Sequence, residues 1–239
     1  MSIYITGDTH REFSRLENFK FKKDDMLIIL GDVGINYFHD IHDMIEKEKL
    51  KKYNIKFFCI RGNHEDRPEN IDTYKEVEMF GGKVYIEDDY PHLIFAKDGE
   101  TYNFNNKQVL VIGGAYSVDK YYRIATGNNW FPDEQLSLEE MNTIFDKVKD
   151  KHYDLVLTHT CPRKYEPIEV FLPGLDQSKI DKSMEDFLDK VEENITYNKW
   201  YCGHYHTEKK IDNLEFMFKN IKKLFDNENN IDKPKEYTK

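Results

Sequence analysis

The sequence has few cysteines and few arginines, and no long apolar run. Cys59, Cys161 and Cys202 are odd in number and share no Cys-x-x-Cys spacing. That pattern argues against a disulfide framework and against a thiolate zinc site. It favours a reducing compartment, and we expect the protein to be cytoplasmic.

Export and membrane signals are also missing. No stretch approaches the roughly 18 consecutive apolar residues of a membrane-spanning helix. No basic region precedes the first apolar run, which Gly7 and Asp8 interrupt after five residues. A secretory signal peptide needs both a basic region and a longer apolar core. We therefore expect neither a signal peptide nor membrane association.

Positive charge is scarce relative to negative charge. The chain has 35 Lys and Arg residues against 45 Asp and Glu residues, which gives a net charge of −10. Non-specific nucleic-acid binding depends on a broad basic surface, so this balance disfavours a general nucleic-acid surface. The length of 239 residues, 39% of them hydrophobic, suits one globular domain. We assign that domain to residues 1–225 and a polar tail to residues 226–239.

Five short apolar runs each end in polar side chains that can bind a metal ion. Their aromatic and β-branched content predicts strands. Ligand sites of α/β sheets lie beyond the carboxyl ends of strands, so the side chains that follow should converge. The runs and the residues that follow them are 2–6 with Gly7-Asp8-Thr9-His10, 26–30 with Gly31-Asp32, 55–60 with Arg61-Gly62-Asn63-His64-Glu65, 154–158 with His159, and 199–202 with Gly203-His204-Tyr205-His206.

Between these runs the periodicity predicts further elements. An amphipathic helix over 37–53, with Phe38, Ile41, Met44, Ile45 and Leu50 on its apolar face, would complete a β-α-β unit. Pro68 is expected to open another helix. The remaining predictions are strands at 83–86, 92–96, 101–104 and 108–112 with hairpin turns at Asp98-Gly99 and Asn105-Asn106, a long loop over 114–132, and helices over 133–150 and 178–193.

Seven side chains are the candidate metal ligands: Asp8, His10, Asp32, Asn63, His159, His204 and His206. Each one alone is weak evidence, and their joint placement at strand ends is what predicts a site. Mixed oxygen and imidazole ligands suit Mn²⁺, Fe, Ni²⁺ or Zn²⁺ better than Ca²⁺ or Mg²⁺. His204 and His206 are two residues apart and would point to opposite faces of a strand, so they must lie in a turn to serve neighbouring metals.

The motif series Gly-Asp-x-His, Gly-Asp, Gly-Asn-His-Glu, Thr-His and Gly-His-x-His resembles the calcineurin-like metallophosphoesterase superfamily, from Asp8 to His206. The resemblance implies an α/β fold, a four-layer α-β-β-α sandwich of two mixed sheets with the helices outside. It also implies a role for each candidate residue: Asp8, His10 and His206 on one metal, Asn63, His159 and His204 on the other, Asp32 bridging the two, and His64 off the metals and facing the substrate.

The second motif departs from the protein Ser/Thr phosphatase branch of that superfamily. That branch continues Gly-Asp-x-x-Asp-Arg-Gly, whereas this chain has Ile35 and Asn36 at the Asp and Arg positions. The expected carboxylate partner of His64 and a phosphate-binding arginine are therefore missing. A small bacterial or phage-type member fits better than a protein phosphatase.

The function hypothesis is a dinuclear metal-dependent phosphoesterase acting on a phosphodiester or a small phosphomonoester, either a small molecule or a nucleotide. Its cofactors would be two divalent metal ions, Mn first, with Fe, Ni or Zn as alternatives. A metal-bound hydroxide would attack phosphorus, with Asp32 bridging the metals and His64 as general acid. The alternatives are a metal-dependent nuclease and a non-catalytic metal-binding scaffold of the same fold.

Substrate contacts are predicted from the placement of the scarce arginines. A guanidinium group suits bidentate phosphate binding, which makes Arg123 and Arg163 the first candidates. Tyr116 is predicted at the substrate rim of the 114–132 loop. Arg61 and Arg67 lie beside the third motif, where they would either contact substrate or pair with nearby carboxylates.

Overall fold

The computed structural model describes residues 1–225. The helices are α1 (Ser14–Glu17), α2 (Ile41–Leu50), α3 (Lys120–Thr126), α4 (Leu138–Val148) and α5 (Ser183–Glu193). The strands are β1 (Ile3–Thr6), β2 (Met26–Ile29), β3 (Lys56–Cys59), β4 (Tyr74–Met79), β5 (Gly82–Glu87), β6 (Leu93–Ala96), β7 (Thr101–Phe104), β8 (Lys107–Ile112), β9 (His152–Thr158), β10 (Thr196–Cys202), β11 (Lys209–Ile211), β12 (Leu214–Phe216) and β13 (Lys222–Leu224).

The strands form two mixed sheets. The first has the order β13-β1-β2-β3-β6-β5-β4, and the second has the order β11-β12-β10-β9-β8-β7. In each sheet four central strands run parallel, and antiparallel strands close both edges. Parallel strands are buried on both faces in most proteins, and here β2 and the ends of β8, β9 and β10 are buried throughout.

The core lies between the sheets, and helices cover their outer faces. Side chains of both sheets, among them Ile28, Phe58 and Leu157, form the inner cluster. Residues of α4 and α5 pack on the outer face of the second sheet, and Leu50 of α2 belongs to the cluster on the outer face of the first. The predicted four-layer α-β-β-α sandwich is confirmed. A core shared by both sheets also supports our proposal of one domain over 1–225; the tail predicted at 226–239 lies outside the described residues.

The strands that precede the five motifs end side by side. In the first sheet Thr6 pairs with Ile29, and Ile29 pairs with Cys59. In the second sheet Cys202 pairs with Thr158. The in-register ends of parallel strands therefore bring the motif residues of each sheet to one edge, as the ligand-site rule for α/β sheets requires.

The predicted apolar face of the helix over 37–53 is wrong. Phe38, Ile41, Met44 and Ile45 are all exposed, and only Leu50 of the predicted set is buried. The helix instead buries Asp43 and Lys47. Asp43 accepts hydrogen bonds from the backbone N–H groups of residues 38 and 39 and from Arg11, and Lys47 forms a buried ion pair of 2.6 Å with Glu87. Polar contacts with Arg11 and Glu87, rather than an apolar stripe, attach this helix to the rest of the protein.

Two other predictions also need correction. Pro68 begins only a short 3-10 turn, Pro68–Asn70, after which the chain forms strand β4, where Val77 and Met79 pack against the inner core. Asp98-Gly99 is not a hairpin turn, because β6 belongs to the first sheet and β7 to the second. A turn signal marks a change of direction and does not specify which strand pairs next. The hairpin at Asn105-Asn106 is confirmed between β7 and β8.

The other predicted elements are present with shifted ends. The helix predicted over 133–150 is α4, which begins after a capping box made by Ser137 and Glu140. The helix predicted over 178–193 is α5, and a separate 3-10 turn, Gln177–Lys179, precedes it. The long loop over 114–132 contains the short helix α3.

Residues 209–224 complete both sheets. Strand β12 pairs in parallel with β10, and β11 closes that edge. Strand β13 then crosses to the first sheet and pairs with β1. The Phe218 carbonyl, between them, accepts hydrogen bonds from Gly7 and Arg15, directly beside the first motif.

Truncation of Phe58 tests the shared core. Phe58 is fully buried, and its ring packs edge-on against Tyr102 at 5.0 Å and Phe104 at 5.1 Å between centroids. Phe58→Ala should lower the free energy of unfolding by about 3–5 kcal/mol in urea denaturation, because it leaves a cavity between the sheets. Leu138→Ala, at a 74% exposed position, is the control and should change it by less than about 0.5 kcal/mol. A loss below about 1 kcal/mol for Phe58→Ala would contradict this description of the core.

Candidate metal centre

The motifs are joined by hydrogen bonds to two buried carboxylates, those of Asp8 and Asp32. Oδ1 of Asp32 accepts hydrogen bonds from the backbone N–H groups of Asn63 and His64, each at 2.8 Å. Oδ1 of Asp8 accepts one from the N–H of His204, also at 2.8 Å. One oxygen of each carboxylate is therefore fixed by the backbone of another motif, and the other oxygen is left for a different partner.

The glycines of the motifs allow this close approach. A Cβ on Gly62 would lie 2.0 Å from Oδ1 of Asp32, and a Cβ on Gly203 would lie 2.3 Å from Oδ1 of Asp8. Any side chain at either position would therefore displace the carboxylate. Glycine is needed at these two positions because the carboxylate of another motif occupies the space of a side chain; at Gly31 the ring of His159 occupies that space, and at Gly7 the backbone of Met217 does.

The backbone at the site is unusual as well. His10, Asp32, His204 and His206 have φ values of 45°, 46°, 65° and 49°. Non-glycine residues rarely adopt this left-handed region, and such strain gathers at functional sites. The two histidines of the last motif thus lie in a turn beyond β10, as their spacing requires if both face the same site.

One group of candidate ligands is formed by Asp8, His10 and His206. Their ligand atoms lie within 4.8 Å of one another. Nε2 of His10 is 2.9 Å from Nε2 of His206, and the latter is 3.3 Å from Oδ2 of Asp8. Oδ2 of Asp8 is buried and has no hydrogen-bond partner. Two facing imidazole nitrogens beside an unpaired carboxylate oxygen fit a shared cation.

The second group surrounds His159. Its Nδ1 contacts the Leu30 carbonyl at 2.7 Å, which directs Nε2 toward Oδ1 of Asn63 at 2.8 Å and Oδ1 of Asp32 at 3.5 Å. The ring of His204 lies 5.0 Å from the ring of His159, centroid to centroid. Oδ2 of Asp32 also lies 3.7 Å from Nε2 of His10, so the Asp32 carboxylate lies between the two groups of candidate ligands.

The charges of the site favour a cation. Burial alone would raise the pKa values of Asp8 and Asp32, but the neighbouring imidazoles hold both pKa values far below the usual range. Burial opposes protonation of His159, yet Asp32 and Asp8 raise its pKa to about 9. Burial lowers the pKa of His204 to about 3, so that ring is a neutral donor. The two buried carboxylates need compensating positive charge, which a protonated His159 supplies in part and which a divalent metal ion could supply in its place.

A sequence comparison decides the family. The sequence model described as "Calcineurin-like phosphoesterase" matches residues 1–208, which include all seven candidate ligands. The chain belongs to the calcineurin-like phosphoesterase family. The matched residues also include all the groups of possible metal ligands found among residues 1–225.

Individual relatives of this chain have low sequence identity or match only part of it. A protein of Clostridium perfringens, named UDP-N-acetylglucosamine--N-acetylmuramyl-(pentapeptide) pyrophosphoryl-undecaprenol N-acetylglucosamine transferase, is 32% identical over 94 residues, 39% of this chain and 24% of that protein. A Clostridium tetani protein of the same name is 24% identical over 189 residues, 74% of this chain and 49% of that protein. The chain thus spans half or less of the length of these relatives.

A solved structure offers a fold comparison. The alignment with phosphopantetheinyl hydrolase from Mycobacterium tuberculosis covers 91% of this chain and 88% of the hydrolase chain. The sequence identity is 12% and the TM-score is 0.47.

Among residues 1–225, the helices are too short or too polar to cross a membrane.

His64 lies at the junction of two cavities. The larger is lined by Asp32, Tyr116 and His204 among others, and the smaller by His10, Arg11 and Arg123; His64 lines both. Its ring lies 5.2 Å from that of His10, and a third group of possible ligands combines His64 with His10 and Asp32. His64 therefore lies beside the candidate ligand groups and lines both cavities.

Two residues of the 114–132 segment surround His64. Nη2 of Arg123 donates to Nδ1 of His64, and Nε of Arg123 donates to Oδ2 of Asp119 at 2.8 Å. Oδ1 of Asp119 is buried without a hydrogen-bond partner, 4.0 Å from Nε2 of His64. A carboxylate beside His64 therefore exists although the second motif lacks it; it comes from a distant segment, and local sequence reasoning missed it.

The other predicted substrate residues have different surroundings. Tyr116 is buried and lines the larger cavity. Arg163 is half-exposed, donates to Asp186 of α5 and lines neither of the cavities that reach His64, so its substrate contact stays a prediction. Arg61 and Arg67 pair with carboxylates, Arg61 with Asp98 and Arg67 with Glu140.

Asn63 is oriented by a hydrogen-bond relay that the sequence did not reveal. Its Nδ2 donates to Oγ of Ser117 at 2.9 Å, and that hydroxyl donates to Oε2 of Glu134. Glu134 only accepts when ionised, so the hydroxyl proton points to it and the hydroxyl oxygen accepts from Asn63. This direction turns Oδ1 of Asn63, its ligand atom, toward His159.

Removal of the relay should weaken metal binding without removing a ligand. Ser117→Ala frees the Asn63 amide to rotate, and we expect the Mn²⁺ dissociation constant to rise by about 10- to 100-fold in titration calorimetry. The matched control is Ser14→Ala, at an exposed position in α1, which should leave the affinity unchanged. Wild-type affinity in Ser117→Ala would show that Asn63 needs no such support.

Proposed function

We propose that this chain is a dinuclear metal-dependent phosphoesterase that hydrolyses a phosphodiester or a small phosphomonoester. The observation that carries the proposal is the position of Asp32 between two ligand groups, one containing His10 and the other containing His159. A single metal would need only one of these groups. The oxygen and imidazole donors favour Mn²⁺ as the first candidate, with Fe, Ni²⁺ or Zn²⁺ as alternatives.

The chain's own residues would hold the ions and direct the substrate. Asp8, His10 and His206 would hold one ion, Asn63, His159 and His204 the other, and Asp32 both. Such ions polarise a phosphoryl oxygen and activate water at neutral pH.

The cellular location is a separate proposal. The three free cysteines are buried, which supports our proposal of a cytoplasmic location.

His64 would protonate the leaving oxygen. A guanidinium group only donates hydrogen bonds, so the contact from Arg123 requires Nδ1 of His64 to be an unprotonated acceptor. The ring can carry the additional proton of a general acid only when Arg123 turns to another acceptor. The phosphate of a substrate is such an acceptor, because guanidinium–phosphate hydrogen bonds are charge-assisted. Substrate binding would thus release His64 for proton transfer, and the free oxygen of Asp119 would stabilise the charged ring.

Removal of a metal ligand tests the enzyme against a non-catalytic scaffold. With Mn²⁺, the wild type should hydrolyse bis-p-nitrophenyl phosphate, and EDTA should abolish the activity. Asp8→Asn should bind Mn²⁺ far more weakly and lose the activity, since its carboxylate belongs to the first ligand group. His42→Ala, an exposed histidine outside the site, is the control. A wild type that binds Mn²⁺ but hydrolyses no phosphate ester would support a scaffold.

The acid role of His64 predicts a dependence on the leaving group. His64→Ala should keep its metal content and lose about 10²- to 10⁴-fold in kcat on alkyl phosphate esters, whose leaving oxygens need a proton. The loss on p-nitrophenyl esters should be much smaller. Equal losses on both substrate types would contradict general acid catalysis.

Arg123 provides an independent test of phosphate contact. Arg123→Lys keeps the charge and loses the planar fork, so we expect KM to rise by about tenfold with metal content intact. Titration calorimetry would establish the metal content of the variant. An unchanged KM would remove Arg123 from the substrate site.

A further inference from the structure

The lining of the larger cavity beside His64 has two chemically different parts, which we call the ligand end and the apolar end. The cavity volume is about 440 Å³. One end is formed by candidate ligands, including Asp32, Asn63 and His204. The other end is formed by apolar side chains from the segment between β9 and α5: Val170, Phe171, Leu172, Leu175 and Ile180. The two ends belong to one continuous space.

The volume exceeds what a phosphate group occupies. Pockets of roughly 300–1,000 Å³ enclose organic ligands of drug size. A phosphoryl group held at the ligand end would therefore leave the apolar end for the organic part of the ester. Burial of apolar surface against Phe171, Leu172 and Leu175 would then contribute to binding.

The charges of the residues that line the larger cavity limit how many phosphate groups a bound ligand can carry. Among the described residues that line this cavity, Lys182 is the one lysine or arginine, and its Nζ is paired with Glu166 at 2.6 Å. Arg11 and Arg123 line the smaller cavity on the other side of His64. A second phosphate in the apolar end would find no unpaired lysine or arginine, so the organic part carries none.

One buried polar group faces the cavity. Glu185 lines it and is only 3% exposed. Oε1 accepts a hydrogen bond from Thr160 at 2.7 Å, whereas Oε2 has no partner. Burial raises the pKa of Glu185 to about 7, which favours a carboxyl group that can donate as well as accept. A buried carboxyl oxygen without a hydrogen-bond partner costs folding free energy unless a bound ligand supplies the missing hydrogen bond.

We propose that this cavity binds the organic group of an ester that carries a single phosphate, and that this group is apolar, alkyl or aromatic, with a hydrogen-bonding substituent that reaches Glu185. The inference rests on the proposed function and names its substrate class. It separates such esters from dinucleotides and from polynucleotides, which bring further phosphates.

A series of diesters with one common leaving group tests the proposal. The substrates are methyl, butyl, octyl and 2-naphthyl p-nitrophenyl phosphate, assayed with Mn²⁺. A buried methylene contributes up to about fourfold, so kcat/KM for the octyl ester should exceed that for the methyl ester by at least about 30-fold. The octyl and naphthyl arms distinguish an alkyl from an aromatic ligand. Equal kcat/KM values across the series would overturn the proposal and leave the phosphoesterase function intact.

Two matched variants locate the effect. Leu172 and Ile168 are both exposed apolar residues of the same segment, at 61% and 72%, but only Leu172 lines the cavity. Leu172→Ser should reduce the octyl-to-methyl ratio of kcat/KM by at least about threefold, and Ile168→Ser should leave the ratio unchanged. Equal ratios in the two variants would place the organic group elsewhere.

A binding measurement separates the two proposals. Octylphosphonate should displace 1-anilinonaphthalene-8-sulfonate from the 239-residue chain treated with EDTA, at a concentration at least about tenfold below that needed for methylphosphonate. This result would support the cavity even if no ester were hydrolysed, in which case only the phosphoesterase mechanism would fail. Equal potency of the two phosphonates would overturn the cavity proposal. Glu185→Leu should not weaken the binding of octylphosphonate, whose alkyl chain has no hydrogen-bonding substituent. The same variant should weaken the binding of 8-hydroxyoctylphosphonate.

Discussion

The structure of the site depends on the hydrogen bonds that the Asp32 carboxylate accepts from the backbone of the third motif. These bonds join the end of β2 to the end of β3 and set the directions in which Asn63 and His64 leave the chain. Because the carboxylate is buried and ionised, its negative charge must be balanced within the protein. We therefore propose that metal binding is coupled to the folding of these loops, and that ions neutralising Asp32 also stabilise the surrounding backbone.

The positions of the candidate ligands could be predicted because they depend on short-range features. A buried strand, a glycine and a polar residue specify a ligand at a strand end, and parallel pairing brings the ends together. Ser117, Glu134 and Asp119 could not be predicted in this way. Their segment is held by Arg61, which donates to the carbonyls of Gly113 and Glu134, and nothing in the sequence near residue 117 indicates that contact.

Helix α2 shows where periodicity fails. Its apolar residues repeat at helical spacing, yet the buried face carries Asp43 and Lys47, whose partners Arg11 and Glu87 lie far away in the sequence. A hydrophobic pattern predicts that a helix forms, but the face it buries depends on what the neighbouring elements offer. In the loop region around Phe171, conversely, apolar residues without helical or strand periodicity line the cavity. Only the tertiary structure places them in one cavity with Asp32, Asn63 and His204.

The family match ends at residue 208, but the folding unit does not. The next sixteen residues, 209–224, supply β12 to one sheet and β13 to the other, and the Phe218 carbonyl between them receives the N–H of Gly7. A fragment cut at the family boundary would retain every candidate ligand and leave β1 with a bare edge next to Asp8. Unpaired edges of this kind recruit strands from other molecules. Residues 209–224 thus cover the edge of β1 beside Asp8, a structural role that involves none of the candidate ligands and leaves no motif in the sequence.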